Sequence, residues 1–83
     1  MRVVLTKHAS RALRSLSANT ERRIRSKLDQ LALDEAGLRN MIKALKGGSG
    51  ALRLRIGDWR VIYSVEGDDL IVLRIAHRRE AYR

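Results

Sequence analysis

The 83-residue chain has no cysteine, so neither a disulfide nor a thiolate-bound metal can hold it together. Its two histidines, His8 and His77, are far apart and have no matching carboxylate cluster. That leaves no metal-ligand spacing, and neither a metal nor another cofactor is expected. Long apolar runs are missing as well. The first, Val3 to Leu5, is followed at once by charged Lys7 and is far too short for a leader peptide. Nothing approaches the roughly 20 apolar residues of a membrane span, so the expected setting is the cytoplasm, away from membranes. There is no proline and no internal repeat. Acids are scarce, with nine Asp and Glu against eighteen Lys and Arg, a net charge of +9.

The cations themselves are biased. Fourteen of the eighteen are Arg and only four are Lys. A guanidinium fork binds phosphate through two parallel hydrogen bonds, whereas an ammonium acts as a point charge. The partners this favours are a nucleic acid, an acidic protein, or both. The length implies one domain, residues 1–83, with a modest core that a bound partner would stabilise further.

"MRVVLT" is short and β-branched and reads as a first strand. "KHASRALRSL" follows, with Ala9, Ala12, Leu13 and Leu16 at helical spacing. Ser17 to Thr20 offers turn and N-cap chemistry before a second helix carrying Ile24, Leu28 and Leu31. Arg22, Arg23, Arg25 and Lys27 fall mostly on the other flank of that helix. Gly37 breaks the pattern, and Leu38 to Leu45 reads as a short helical turn feeding a strand. "KGGSG", from Lys46 to Gly50, is a flexible connector; it lacks the Lys-Ser/Thr pair of a phosphate-cradling loop. Beyond Gly50 the period becomes alternating, and two "GD" turns separate three strands. Strand, two helices and three strands predict an α+β layer architecture.

"LRLRIGDWRVIYSV" carries the functional argument. A two-residue loop at Gly57-Asp58 sets Ile56 opposite Trp59, Arg55 opposite Arg60 and Leu54 opposite Val61. Leu52, Leu54, Ile56, Trp59, Val61 and Tyr63 then share a core face, and Arg53, Arg55 and Arg60 gather on the other. Directly opposed like charges destabilise a sheet. An anion held across the strands would compensate that cost; the alternative is that the arginines splay into water or pair with Glu66, Asp68 or Asp69 at the far turn. The last strand, "DDLIVLRIAH", is apolar on both alternating sets and reads as central. It delivers His77, Arg78, Arg79 and Tyr82 toward Arg60, with Arg60 set near Ile75 and with Ile62, Leu73 and Ile75 on the arginine face.

"LKGGSGALRLRIGDWRVIYSV" followed by "LRIAHRREAYR" resembles the RelE/ParE superfamily of toxin–antitoxin toxins, in its RelE-like branch. The signature is a basic "RLR" strand, then "GDWRVIY", then a strand ending "HRREAY", and the "IKALKG" lead-in agrees with it. The resemblance implies a microbial RNase fold with a helical hairpin packed on a curved sheet of about four strands. It further implies a metal-independent endoribonuclease that enters the ribosomal A site and cleaves mRNA by attack of a 2′-hydroxyl on the adjacent phosphate. A cognate antitoxin with an acidic segment would wrap and silence it. Operator DNA would be bound only through the antitoxin complex.

By position, the resemblance assigns Arg60 to the scissile phosphate and Arg53 and Arg55 to basic strand positions that are often Lys. Arg78 matches the C-terminal arginine, with Arg79 as the alternative, and Tyr82 matches a tyrosine that stacks on a base or orients the nucleophile. Arg53 cannot act as a general base, because guanidinium stays protonated, so His77 becomes the candidate acid or base. Arg22, Arg23, Arg25 and Lys27, with Lys46 and Arg79, are candidates for gripping RNA phosphates. The competing function is a ParE-like toxin that binds and poisons DNA gyrase without cutting RNA. Its branch generally lacks this basic set.

Overall fold

The structure is a computed structural model and describes residues 1–81. The chain opens with strand β1 (Arg2–Leu5), and helix α1 (Lys7–Arg14) follows directly. Thr6 ends the strand and starts the helix, because its hydroxyl accepts the Ala9 N–H at 3.1 Å. Ser17 repeats the device for α2 (Ala18–Leu33), accepting the Thr20 N–H at 3.3 Å. Each helix buries one stripe at i, i+3 or i+4 spacing: Ala9 and Leu13 on α1, and Ile24, Leu28 and Leu31 on α2.

A 3₁₀ helix (Ala36–Met41) then feeds β2 (Ile42–Ala44), the short helical turn and strand expected of this segment. Three longer strands follow: β3 (Leu52–Ile56), β4 (Trp59–Glu66) and β5 (Asp69–His77). A four-residue helix, α3 (Arg78–Ala81), continues directly from β5 and was not anticipated. The sheet order is β1-β5-β4-β3-β2, with β1 parallel to β5 and the other pairs antiparallel. The expected helical hairpin on a sheet is therefore present, and β2 extends the sheet to five strands. β5 lies between β1 and β4, which explains why it is apolar on both faces.

The β3–β4 register is the one a two-residue loop dictates: Ile56 opposite Trp59, Arg55 opposite Arg60, Leu54 opposite Val61. Gly57 adopts φ +58° there, a left-handed conformation that glycine enters without steric cost. Leu54, Ile56, Val61, Tyr63, Leu70, Val72 and Ile75 form a single core with the helix stripes.

One expected register is corrected. Tyr63 pairs with Val72 but Ile62 pairs with Arg74, so Leu73 is an extra residue on β5. This β-bulge shifts every later pair by one and sets Arg60 opposite Ala76, not Ile75. Ile75 turns into the core at 5% exposure and leaves the arginine face. The Leu73 carbonyl, displaced from the ladder, accepts a hydrogen bond from the Thr6 hydroxyl at 3.2 Å.

Candidate functional site

The register that buries Leu54, Ile56 and Val61 forces their sequence neighbours outward. Arg53, Arg55 and Arg60 accordingly share the face that the α1–α2 hairpin leaves uncovered, as expected. Two further cations join them. Lys43 on β2 lies opposite Arg53, and Arg74 on β5 lies opposite Ile62, which itself pairs with Arg53. Asn40, Met41, Lys43, Arg53, Arg55 and Arg60 line a shallow cleft of about 120 Å³.

Arg60 is held within this cleft by its own turn. Its Nη1 donates to the Gly57 carbonyl at 2.7 Å and to the Trp59 carbonyl at 2.9 Å. The aspartates of the β4–β5 turn are engaged elsewhere: Asp69 binds Arg2 at 3.0 Å, and Asp68 lies 4.0 Å from the N-terminal amine. None of the lining residues is acidic. A cleft so lined attracts a phosphodiester and repels a divalent cation. Among the described residues, no group of His, Asp or Glu side chains is placed to hold a metal ion.

Arg78 reaches the same end of the sheet. Its N–H donates to the Asp58 carbonyl at 2.7 Å, and its Nε lies 3.6 Å from the Asp58 carboxylate. α3 is fastened on its other side by Arg74, which donates to the Glu80 carbonyl at 3.3 Å. His77 lies elsewhere than expected. It pairs with Trp59 on the helix-facing side of the sheet, with the two rings edge to face at 5.4 Å between centroids. Its Nδ1 accepts the Arg79 N–H at 3.3 Å, while the Arg79 side chain is exposed. The bulge is the cause, because shifting the register by one exchanges the faces of every residue after Leu73. Tyr82 lies outside the described residues.

The helical cations divide. On α2, Arg22 donates to Asn19, Arg25 pairs with Glu21 at 2.9 Å, and Lys27 donates to Gln30 at 3.4 Å. These three stay on their own helix, on the far side of the sheet from the cleft. Arg23 instead extends to the β3–β4 turn, where a methyl group on Gly57 would come within 2.9 Å of its Nη2. Lys46 is exposed in the β2–β3 connector and does not line the cleft.

Lys43 and Arg74 are the residues that sequence reasoning missed. Strict alternation from Leu70 and Val72 would point Arg74 into the core, which an unpaired guanidinium does not tolerate. That conflict was the available sign of the bulge. Tyr63 shows what a buried polar group here requires: its hydroxyl donates to Glu35 at 3.0 Å. Burial, reinforced by that bond, holds the phenol's pKa above its ordinary value.

The family of the ParE toxin of type II toxin-antitoxin systems, parDE, matches residues 3–82. The chain belongs to this family. It is homologous to RelE toxins: it is 27% identical to toxin RelE3 of Methanocaldococcus jannaschii, across 99% of this chain and 96% of that protein. The archaeal RelE–RelB complex of Pyrococcus horikoshii OT3 matches with a TM-score of 0.78 and 30% identity, across 95% of this chain and 96% of that one. The isolated E. coli RelE toxin shares the fold at a TM-score of 0.75 and 16% identity, across 98% of this chain and 89% of that one. This toxin therefore presents its arginine cleft on a RelE-like fold.

Proposed function

We propose that this toxin is a ribosome-dependent mRNA endoribonuclease. The observation that carries the reading is the uncovered sheet face on which Lys43, Arg53, Arg55, Arg60 and Arg74 converge with no acid lining the cleft. The 2′-hydroxyl of the substrate attacks the adjacent phosphorus, the bond to the 5′-oxygen of the next nucleotide breaks, and a cyclic phosphate and a free 5′-hydroxyl remain. Negative charge accumulates on the phosphoryl oxygens in the transition state, and cations already in place stabilise that state more than the ground state. Arg60 is the phosphate ligand, since its two backbone acceptors hold it in position before substrate arrives. Arg53 and Arg55 extend the contact along the strand, and Arg78 approaches from the turn.

A guanidinium does not take up the 2′-hydroxyl proton at physiological pH. His77 faces away from the cleft in this structure, which favours catalysis by charge and alignment. Tyr82 and ribosomal groups are left to complete the chemistry. The guanidinium lining supports a reaction without a bound metal.

The cognate antitoxin is the expected protein partner, as RelB is in the Pyrococcus horikoshii complex. Val4, Ile62 and Ile71 are only half-buried on the uncovered face, and Leu73 is 38% exposed. An amphipathic antitoxin segment with acidic flanks suits this apolar strip beside the cations. Operator DNA is reached through that complex, and the toxin acts in the cytoplasm. No helix among the described residues is long and apolar enough to cross a membrane.

The test is primer extension on a defined mRNA translated in a purified system. Cuts should appear only with ribosomes, and Arg60→Ala should reduce them by about 100-fold or more. Undisturbed translation would overturn the reading and favour gyrase poisoning, the alternative that the ParE family match supports. A supercoiling assay would then decide.

A further inference from the structure

Three guanidinium groups from three separate elements meet at one dipeptide, Gly57-Asp58. Arg60, from β4, donates to the Gly57 carbonyl at 2.7 Å. Arg78, from α3, donates its N–H to the Asp58 carbonyl at 2.7 Å and sets its Nε 3.6 Å from the Asp58 carboxylate. Arg23, from α2, lies so close over Gly57 that its Nη2 and Nη1 stand 2.9 and 3.0 Å from where a Cβ would be. The acid of this turn, Asp58, is paired with Arg78, while Arg60 and Arg23 are placed against Gly57.

Arg23 has a clear alternative. It is exposed, sits on a helix whose neighbouring cations find partners on that same helix, and could extend into water at little cost. Gly57 is what opens the other course. With no side chain and a positive φ, it leaves the peptide plane bare, and a flat guanidinium can lie against it. Bringing three like charges together is unfavourable unless a counter-charge joins them.

The location matters as much as the number. Arg60 belongs to the uncovered face of the sheet and Arg23 to the helical side, and the hairpin tip is where those faces meet. A strand lying in the cleft and leaving it past Arg60 would cross this tip.

We propose that Arg23, with Arg78, forms a second phosphate subsite over the Gly57-Asp58 turn. It receives the phosphodiester next along the RNA strand from the one held at Arg60. Arg23 is in this sense a substrate-positioning residue supplied by the helical layer. The inference rests on the RNA-cleaving reading and adds a path by which the strand leaves the cleft.

The test is fluorescence anisotropy of the full-length toxin with a short single-stranded RNA. The RNA is methylated at every 2′-oxygen so that it cannot be cut, and affinity is followed across a salt series. Each phosphate contact on a single strand contributes about 0.7 to the slope of log K against log salt. Arg23→Gln should lower that slope by about this amount, whereas Arg23→Lys should keep it, because the charge survives. Arg11→Gln, an exposed arginine on α1, should leave the slope at the wild-type value. Equal losses for Arg11→Gln and Arg23→Gln would overturn the subsite, since only diffuse charge would then be at work. An unchanged slope for Arg23→Gln would overturn it too, as would equal losses for Arg23→Lys and Arg23→Gln. A wild-type toxin that ignores this RNA yet still cuts on ribosomes sinks the subsite alone. If the ribosomal cuts are absent as well, the endonuclease reading falls with it.

Discussion

Arg55 and Arg60 stand directly opposite each other one pair in from the β3–β4 turn. In a hairpin closed by a two-residue loop this is a non-hydrogen-bonded pair, the kind whose side chains lie closer together. Two unit charges about 7 Å apart in a water-like medium repel by roughly 0.6 kcal/mol. Arg55→Glu turns that repulsion into an attraction of similar size, a swing of about 1 kcal/mol, in line with measured cross-strand pairs. For a domain of this length, about 1 kcal/mol raises Tm by roughly 4–8 °C. Thermal melts by circular dichroism at low salt should therefore rank Arg55→Glu above Arg55→Gln and both above wild type. Gln serves to separate charge from strand propensity. In about 1 M salt the Debye length falls to roughly 3 Å, and the three melting curves should converge. RNA affinity should move the opposite way, falling as stability rises. A wild-type protein that matches or exceeds Arg55→Glu at low salt would refute the idea that the arginine face is kept at a cost in stability. A gain that persists undiminished at high salt would refute its electrostatic origin.

Two further outcomes are expected. In a Tyr82→Phe background only Tyr63 titrates as a phenol, and its absorbance midpoint should lie above the ordinary value of about 10. Because the folded-state pKa is the higher one, the associated stability is complete below pH ~10 and is lost as pH rises through the folded value. A midpoint at the ordinary value would contradict the burial and the Glu35 bond. Deleting Leu73 removes the bulge yet leaves Tyr63 opposite Val72 and Ile62 opposite Arg74, so every later residue of β5 keeps its face. What is lost is the Leu73 carbonyl that accepts the Thr6 hydroxyl, a hydrogen bond worth about 1 kcal/mol. The variant should melt cooperatively with Tm lowered by roughly 4–8 °C, and loss of the cooperative transition would mean that Leu73 is not simply an extra residue in the ladder.

The hairpin bearing Arg53, Arg55 and Arg60 was legible from the chain because a two-residue loop leaves one register and the alternation is strict. The helical stripes at Ala9 and Leu13, and at Ile24, Leu28 and Leu31, were legible for the same reason, since each follows its own local period. Lys43 was not, because β2 spans only Ile42–Ala44 and exists through its pairing with β3. Three residues carry too little periodicity to announce a strand. Arg74 was missed, and Ile75 and His77 were assigned to the wrong face, because a single extra residue on β5 exchanges inside and outside for everything beyond it.

Composition and local pattern by themselves determined the class of fold, the charge, the core face of the hairpin and the arginines behind it. These depend on spacings of two, three or four residues, which the chain displays directly. Only the tertiary structure decided that Lys43 joins the cleft, that Arg74 shares its face, that His77 leaves it, and that Arg23 crosses from its helix to Gly57. Each of these turns on a pairing or an approach between residues far apart in the chain, and no local period encodes such a contact.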